Sequence, residues 1–253
     1  MTQAIILAAG KGDRLMPLTS NKPKCCIEFN GISLLQYQLN TFAKANINKV
    51  SIVAGYMYKE IEKYGLNTIL NDNYASSNMV KSLFFNDNFY NNLDEDLIIS
   101  YGDIIYEYKN LIKLLSSKTD ISIIVDLNWI NLWKIRMDNP LNDAESLLIN
   151  ENDQIIEIGQ KVTSYSKIQG QYTGLILVKK KKIQEIRKYY LSINNGSLDN
   201  LYMTDFIQLL INNGNKVNAV KVKGGWLEFD TVKDLRVYEN LLFQNKLGPY
   251  FKI

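Results

Sequence analysis

Histidine is absent from all 253 positions of this chain. That absence excludes a Ser-His-Asp triad, a histidine general base and a histidine zinc site. Any chemistry must therefore rest on carboxylates, lysine, arginine and a hard metal ion. Cysteine occurs only as the adjacent pair Cys25-Cys26. Neighbouring residues make a poor staple, so reduced, packed thiols are predicted, as in a cytoplasmic protein. Long apolar runs are also missing. Ala4 to Ala9 is too short for a signal-peptide core and is followed by Lys11, Asp13 and Arg14, so neither export nor a membrane span is expected. Neither sign of charge dominates, with 29 basic against 26 acidic residues and a net charge of +3. A nucleic-acid surface is not expected, and the one basic run, Lys179 to Lys182, reads as the start of a solvated helix.

What is present suits one domain spanning 1–253, since 46% hydrophobic residues can build a sizeable core. Strand-like and helix-like runs alternate. Ala4 to Leu7, Val50 to Ala54, Leu97 to Ser100 and Ile121 to Val125 read as strands, whereas Leu34 to Lys44, Lys59 to Tyr64 and Leu111 to Leu115 read as helices. The alternation predicts an α/β fold with a Rossmann-like, mostly parallel sheet covered on both faces. After Trp133 mixed strands are expected around Leu147, Ile155 and Leu175, with helices at Ile183 to Tyr190 and Met203 to Asn212. Residues 1–126 are thus read as the core of the sheet, and 127–253 as a smaller α+β lid over its carboxyl edge.

The most informative segment follows the first strand: Leu7-Ala8-Ala9-Gly10-Lys11-Gly12-Asp13-Arg14-Leu15-Met16-Pro17-Leu18-Thr19, then Pro23-Lys24. Small residues leave backbone N–H groups open to an anion, and glycine reaches positive φ at no steric cost. Arg14 can fork onto phosphate oxygens and Lys24 adds a compact charge. A dinucleotide fingerprint is excluded because Leu15 stands where its third glycine belongs, and a Walker loop because Gly-Lys-Ser/Thr is missing. The string resembles the signature of the nucleotidyltransferases that activate sugar phosphates and related small phosphates. That resemblance implies the nucleotide-diphospho-sugar transferase fold, and a triphosphate site of Leu7, Ala8, Ala9, Gly10, Gly12, Asp13, Arg14, Lys24 and Gly102.

Strand ends in an open parallel sheet gather ligands, and Gly102-Asp103 directly follows a predicted strand. Near the other end, Trp226-Leu227-Glu228-Phe229-Asp230-Thr231 would place Glu228 and Asp230 on one strand face, with Asp230 also able to cap a helix from Val232. The resemblance implies that Asp103 and Asp230 hold a catalytic Mg²⁺, replaceable by Mn²⁺, and that Glu228 joins them in the cytidylyltransferase branch. Mg²⁺ keeps waters and takes few protein carboxylates, which suits this set.

Asn73-Tyr74 and Asn78-Met79-Val80-Lys81-Ser82 resemble the base-contacting segment of cytidylyltransferases, implying CTP with Asn78 and Ser82 beside the base. The alternative reading of this segment is a capped helix with Ser77 or Asn78 as its N-cap. Ile158-Gly159-Gln160-Lys161 resembles a family strand whose lysine grips the acceptor phosphate, with Gln-Lys-Val in place of Glu-Lys-Pro. Trp129, Trp133 and Trp226 read either as an aromatic cage for a quaternary amine or as core, with Tyr172 nearby. Arg136 and Asp205 suit instead a zwitterionic amino-acid end. The segments around Arg136 and Trp226 are similar to those of cytidylyltransferases acting on phosphonates and on phosphorylated glutamine in capsule phosphoramidate synthesis. The resemblance implies CMP transfer to a small phosphorylated acceptor, L-glutamine phosphate first, giving CDP-L-glutamine for capsular polysaccharide. Phosphocholine, 2-aminoethylphosphonate or a sugar 1-phosphate are alternatives, as is a non-catalytic nucleotide-binding subunit. A monomer or homodimer is expected.

Overall fold

The computed structural model describes residues 1–193 and 200–253. Its strands are β1 (Thr2–Ala8), β2 (Glu28–Phe29), β3 (Ile32–Ser33), β4 (Val50–Ala54), β5 (Asn67–Leu70), β6 (Asp96–Tyr101), β7 (Ile104–Tyr106), β8 (Ile121–Asp126), β9 (Glu145–Ile149), β10 (Ile155–Lys161), β11 (Gln171–Val178), β12 (Val217–Val222) and β13 (Trp226–Glu228). Its helices are α1 (Leu34–Lys44), α2 (Tyr58–Glu62), α3 (Met79–Phe84), α4 (Asp87–Asn91), α5 (Tyr108–Leu115), α6 (Trp129–Arg136), α7 (Lys180–Ser192), α8 (Met203–Asn212) and α9 (Val232–Phe243).

Among the described residues the main sheet has seven strands in the order β12-β8-β11-β6-β1-β4-β5. Neighbours run parallel except at β11, which lies antiparallel to both β6 and β8. Period-two alternation explains why both faces are covered: along β1, Ala4 and Ile6 enter one apolar cluster while Ile5 and Leu7 enter the other. The same split recurs in β6, where Ile98 faces the first cluster and Leu97 and Ile99 the second. Helix starts follow local chemistry as well. Ser33 caps α1 by accepting from Gln36 N at 3.1 Å, and Thr231 and Asp234 form a reciprocal capping box on α9.

Several differences from the sequence expectation have physical causes. Residues 127–253 do not lie wholly over the sheet, because β11 and β12 enter it; the β9–β10 hairpin stands outside, with α8 packed on β10. β12 carries asparagine and lysine among its valines, and β5 is a short edge strand, so neither gave a long apolar run. Trp129–Arg136 is a helix whose apolar residues surround its axis rather than forming a stripe, which hides it from a periodicity search. Lys179 to Lys182 does open a helix, with Lys179 bonded to Asp96 at 2.9 Å and Lys181 paired with Asp120 at 2.9 Å. Among the described residues no helix is long and apolar enough to cross a membrane.

Candidate functional site

At the carboxyl ends of β1 and β6 the chain opens a cavity of about 380 Å³. β1 runs straight into the loop that forms its floor. Gly12 adopts φ +70°, the left-handed turn anticipated for this position, and its carbonyl accepts from Thr19 Oγ1 at 3.0 Å. Gly102 N donates to Leu7 O at 2.9 Å, and a Cβ on Gly102 would lie 2.8 Å from that oxygen. The turn after β6 can therefore close onto the end of β1 only because Gly102 carries no side chain. Leu7, Ala8, Ala9, Gly10, Gly12, Asp13, Arg14, Lys24, Asn78, Ser82 and Gly102 all line this cavity, together with Asp103 and Asp230. Tyr74, Ser77, Met79 and Tyr101 line it too.

A short antiparallel pairing assembles the charged end. β13 pairs with β7, Glu228 opposite Ile104, and Phe229 N then donates to Asp103 O at 2.9 Å. This brings Asp230 to Asp103, with Lys24 between them: its Nζ donates to Asp103 Oδ2 at 2.6 Å and to Asp230 Oδ1 at 3.0 Å. Arg14 reaches the remaining Asp230 oxygen at 2.6 Å. Burial opposes the Lys24 charge, but Asp103 and Asp230 outweigh it and hold the ammonium well above its ordinary range.

A second cavity, of about 270 Å³, shares Arg14, Lys24, Met79, Tyr101, Asp103 and Asp230 with the first. Its other walls are aromatic, from Trp133, Tyr172, Tyr202 and Trp226, and acidic, from Asp143, Glu145 and Glu228. The two cavities meet at the Lys24 ion pairs.

Residues 3–129 match the sequence profile of the nucleotidyl transferase family. The chain belongs to the nucleotidyltransferase family. This nucleotidyltransferase is 38% identical over 249 residues to the CTP:phosphoglutamine cytidylyltransferase of Campylobacter jejuni, covering 92% of this chain and 98% of that one. Its fold superposes on CTP:phosphocholine cytidylyltransferase from Streptococcus pneumoniae with a TM-score of 0.70 at 23% identity, covering 95% and 99% of the two chains. It also superposes on the inositol-1-phosphate CTP transferase from T. maritima, with a TM-score of 0.74 at 22% identity over 100% and 98%.

Two carboxylates of the nucleotidyltransferase fit a divalent ion. Asp103 Oδ1 is buried without a hydrogen-bond partner, and Asp103 and Asp230 converge on one cation, Lys24. Among the described residues no three acidic or thiol groups form a ready metal cluster. Glu228, expected as a third ligand, is instead paired through Oε2 with Arg136 at 2.7 Å. Burial pushes the Glu228 carboxyl up to about 7, with Arg136 pulling the other way. Asp230 does not cap α9 either. Thr231 takes that role, while Asp230 N and Thr231 N both donate to Asp234 Oδ2, at 3.0 and 2.8 Å.

Arg136 was expected to meet an acceptor carboxylate, but it is 3% exposed and its Nε donates to Asp234 Oδ1 at 3.0 Å. A buried guanidinium needs internal carboxylates, and this one has two. Its position in α6, facing α9, makes it a clamp on the Glu228 to Asp234 segment. The tryptophans divide between the two readings. Trp129 is buried at 4% exposure and lines neither cavity, whereas Trp133 and Trp226 are buried core residues that also present an edge to the second cavity. Their indole N–H groups are taken, by Asp143 Oδ2 and Asp126 Oδ2, both at 3.0 Å. Tyr172 lines the second cavity; Lys161 is exposed at the end of β10, and neither it nor Asp205 lines either of these two cavities. Asn78 combines both expectations, lining the first cavity while its Oδ1 accepts from Met79 N at 2.8 Å as the α3 cap. Ser82 Oγ accepts from Asn71 Nδ2 at 2.9 Å. Cys25 and Cys26 are buried free thiols, Sγ to Sγ 4.0 Å, packed as anticipated.

Proposed function

We propose that this enzyme transfers CMP from CTP to a small phosphorylated acceptor, L-glutamine phosphate in the first instance, releasing pyrophosphate and forming CDP-L-glutamine for capsular polysaccharide. The observation that carries the reading is the meeting of two cavities at Arg14, Lys24, Asp103 and Asp230. An in-line displacement needs an attacking phosphate on one side of the α-phosphorus and a leaving pyrophosphate on the other. The 38% identity to the C. jejuni enzyme along nearly the whole chain supports CTP and phosphoglutamine as the pair.

In this reading the glycine loop offers backbone N–H groups to the triphosphate, with Asn78 and Ser82 toward the base. Arg14 and Lys24 balance the charge that develops as the acceptor oxygen bonds to the α-phosphorus and the bond to pyrophosphate breaks. The family generally uses divalent metal ions. Asp103 and Asp230 would hold Mg²⁺, or Mn²⁺, which supplies further charge neutralisation and orients the phosphates when bound. No covalent intermediate is required, in keeping with a chain without histidine. A cytoplasmic location and a monomeric or homodimeric state belong to the same proposal.

A second acceptor reading has its own observation. With Arg136 engaged by Glu228 and Asp234, the acceptor cavity offers no guanidinium for an amino-acid carboxylate beyond Arg14. That favours phosphocholine or 2-aminoethylphosphonate, which lack one. Pyrophosphate release measured over four NTPs crossed with glutamine phosphoramidate, phosphocholine, 2-aminoethylphosphonate and glucose 1-phosphate separates these readings. Turnover confined to the sugar phosphate overturns the acceptor assignment, and none with any pair favours the non-catalytic reading.

A further inference from the structure

The second cavity is bipolar. Its cations, Arg14 and Lys24, lie at the end shared with the nucleotide cavity. Asp103 and Asp230 share that end as their ion-pair partners, and away from it the cavity has three more carboxylates, whose circumstances differ. Glu228 has Arg136 as counter-ion at 2.7 Å. Asp143 is exposed and accepts the Trp133 indole N–H. Glu145 is half-buried and, among the described residues, has no ion-pair partner. Lys161 stands opposite it in the β9–β10 register, yet its side chain is exposed and makes no ion pair with Glu145. Thr204 is the side chain that bonds the Glu145 carboxylate, and Asp143 and Asp205 are the charges facing it.

The backbone at this position is also fixed. Gln171, itself 7% exposed, donates from Nε2 to Glu145 O at 2.7 Å and accepts from Glu145 N at 3.3 Å. Glu145 thus projects from a pinned strand end at the cavity wall, not from a mobile loop. Burial pushes its carboxyl above the ordinary range, with Thr204 opposing. A desolvated carboxylate without a cation is costly unless something binds there. Trp133, Trp226 and Tyr172 supply aromatic surface to the same cavity, which is attractive to a cation and less so to a second anion.

We infer that Glu145 selects the acceptor, its carboxylate receiving the ammonium of a phosphorylated amine whose phosphate lies against Arg14 and Lys24. This rests on the reading that the second cavity takes the acceptor. It adds what that reading leaves open, the residue that distinguishes a charged acceptor from a neutral one. Sugar phosphates are disfavoured here because their hydroxyls can hydrogen-bond the carboxylate but bring no charge to balance it. Amino-acid phosphates pass on their ammonium, with the carboxylate turned to the open side.

The test compares 2-aminoethylphosphonate with 2-hydroxyethylphosphonate, which differ in one terminal group, in the wild type and in Glu145→Gln at saturating CTP. Glutamine phosphoramidate and phosphocholine are run in parallel as further ammonium acceptors. The variant should lose about 10- to 100-fold in kcat/KM for every acceptor with an N–H ammonium that the wild type uses, the worth of a hydrogen bond to a charged group; phosphocholine, whose quaternary ammonium has no N–H to donate, should lose less, through charge attraction alone. Its value for the hydroxyl compound and its KM for CTP should stay within about threefold of wild type on the same grounds. Glu145→Asp, which keeps the charge, should recover part of the discrimination. Equal losses for charged and neutral acceptors, or none, overturn the role of Glu145 while leaving cytidylyl transfer standing. A wild type that ignores every ammonium acceptor overturns the acceptor reading and this inference together.

Discussion

Replacing Lys24 with methionine tests the centre of the site. The ammonium lies 2.6 Å from Asp103 Oδ2 and 3.0 Å from Asp230 Oδ1, and its side chain is 17% exposed against 23% and 13% for the carboxylates. Methionine keeps most of the stem volume and removes the charge. Arg14 still neutralises Asp230, so Asp103, already carrying one unpartnered oxygen, is the group left bare. Breaking a fully buried pair costs about 3–5 kcal/mol and an exposed pair about 0–1. The partial exposure here places the loss near 2 kcal/mol, about 4 °C in Tm for a chain of this length. Added Mg²⁺ should restore much of this in the variant and raise the wild-type Tm less, because in the variant the ion meets carboxylates without competition from Lys24. Turnover, followed by pyrophosphate release, should fall by at least about 100-fold, the usual cost of losing one charge-stabilising donor. Melting curves with and without Mg²⁺ read the first effect independently of the second. A Lys24→Met protein that melts and turns over like wild type would refute both the electrostatic account of the network and the catalytic role.

Four further outcomes follow from the same geometry. Asp103→Asn should lower turnover at least about 100-fold and weaken Mn²⁺ binding, followed by electron paramagnetic resonance, with little change in Tm; unaltered Mn²⁺ affinity would remove Asp103 from the metal site. Arg136→Leu leaves Glu228 and Asp234 without their counter-ion, so Tm should fall by about 6–10 °C, while the preference between acceptors with and without a carboxylate stays unchanged. A selective loss with carboxylate acceptors would return Arg136 to the acceptor site. Gly102→Ala forces a Cβ to 2.8 Å from Leu7 O and should cost about 1–3 kcal/mol in urea unfolding. In metal-free protein, folded Glu228 keeps its proton to about pH 7 where an unfolded glutamate releases it near 4.5, so stability should fall as pH rises through that window. Glu228→Gln should flatten that fall, and an unchanged pH profile would count against the burial of this carboxyl.

The loop after β1 was legible because its chemistry is local. Consecutive small residues, Gly12 and the following Arg14 act through backbone geometry that the sequence itself dictates, and all of the residues read as its triphosphate floor line one cavity. The parallel core was legible for a related reason, since strands such as Ile121–Asp126 are buried along their whole length and carry apolar residues at four of six positions. Arg136 shows where that legibility ends. A charged residue beside tryptophans reads the same from sequence whether it meets a ligand or an internal carboxylate. Its clamp on Glu228 and Asp234 exists only because α6 packs against α9. Glu145 escaped notice for the converse reason, an ordinary acidic residue at a strand start until the β9–β10 hairpin and Gln171 turn it to a cavity wall. Sequence alone pointed to the central strands of the sheet, to the small-residue loop after the first of them, and to Lys24, Asp103 and Asp230 as candidates. Only tertiary structure decided which charges cancel inside the protein and which stay available to a substrate, because that depends on distances between segments that chain order does not specify.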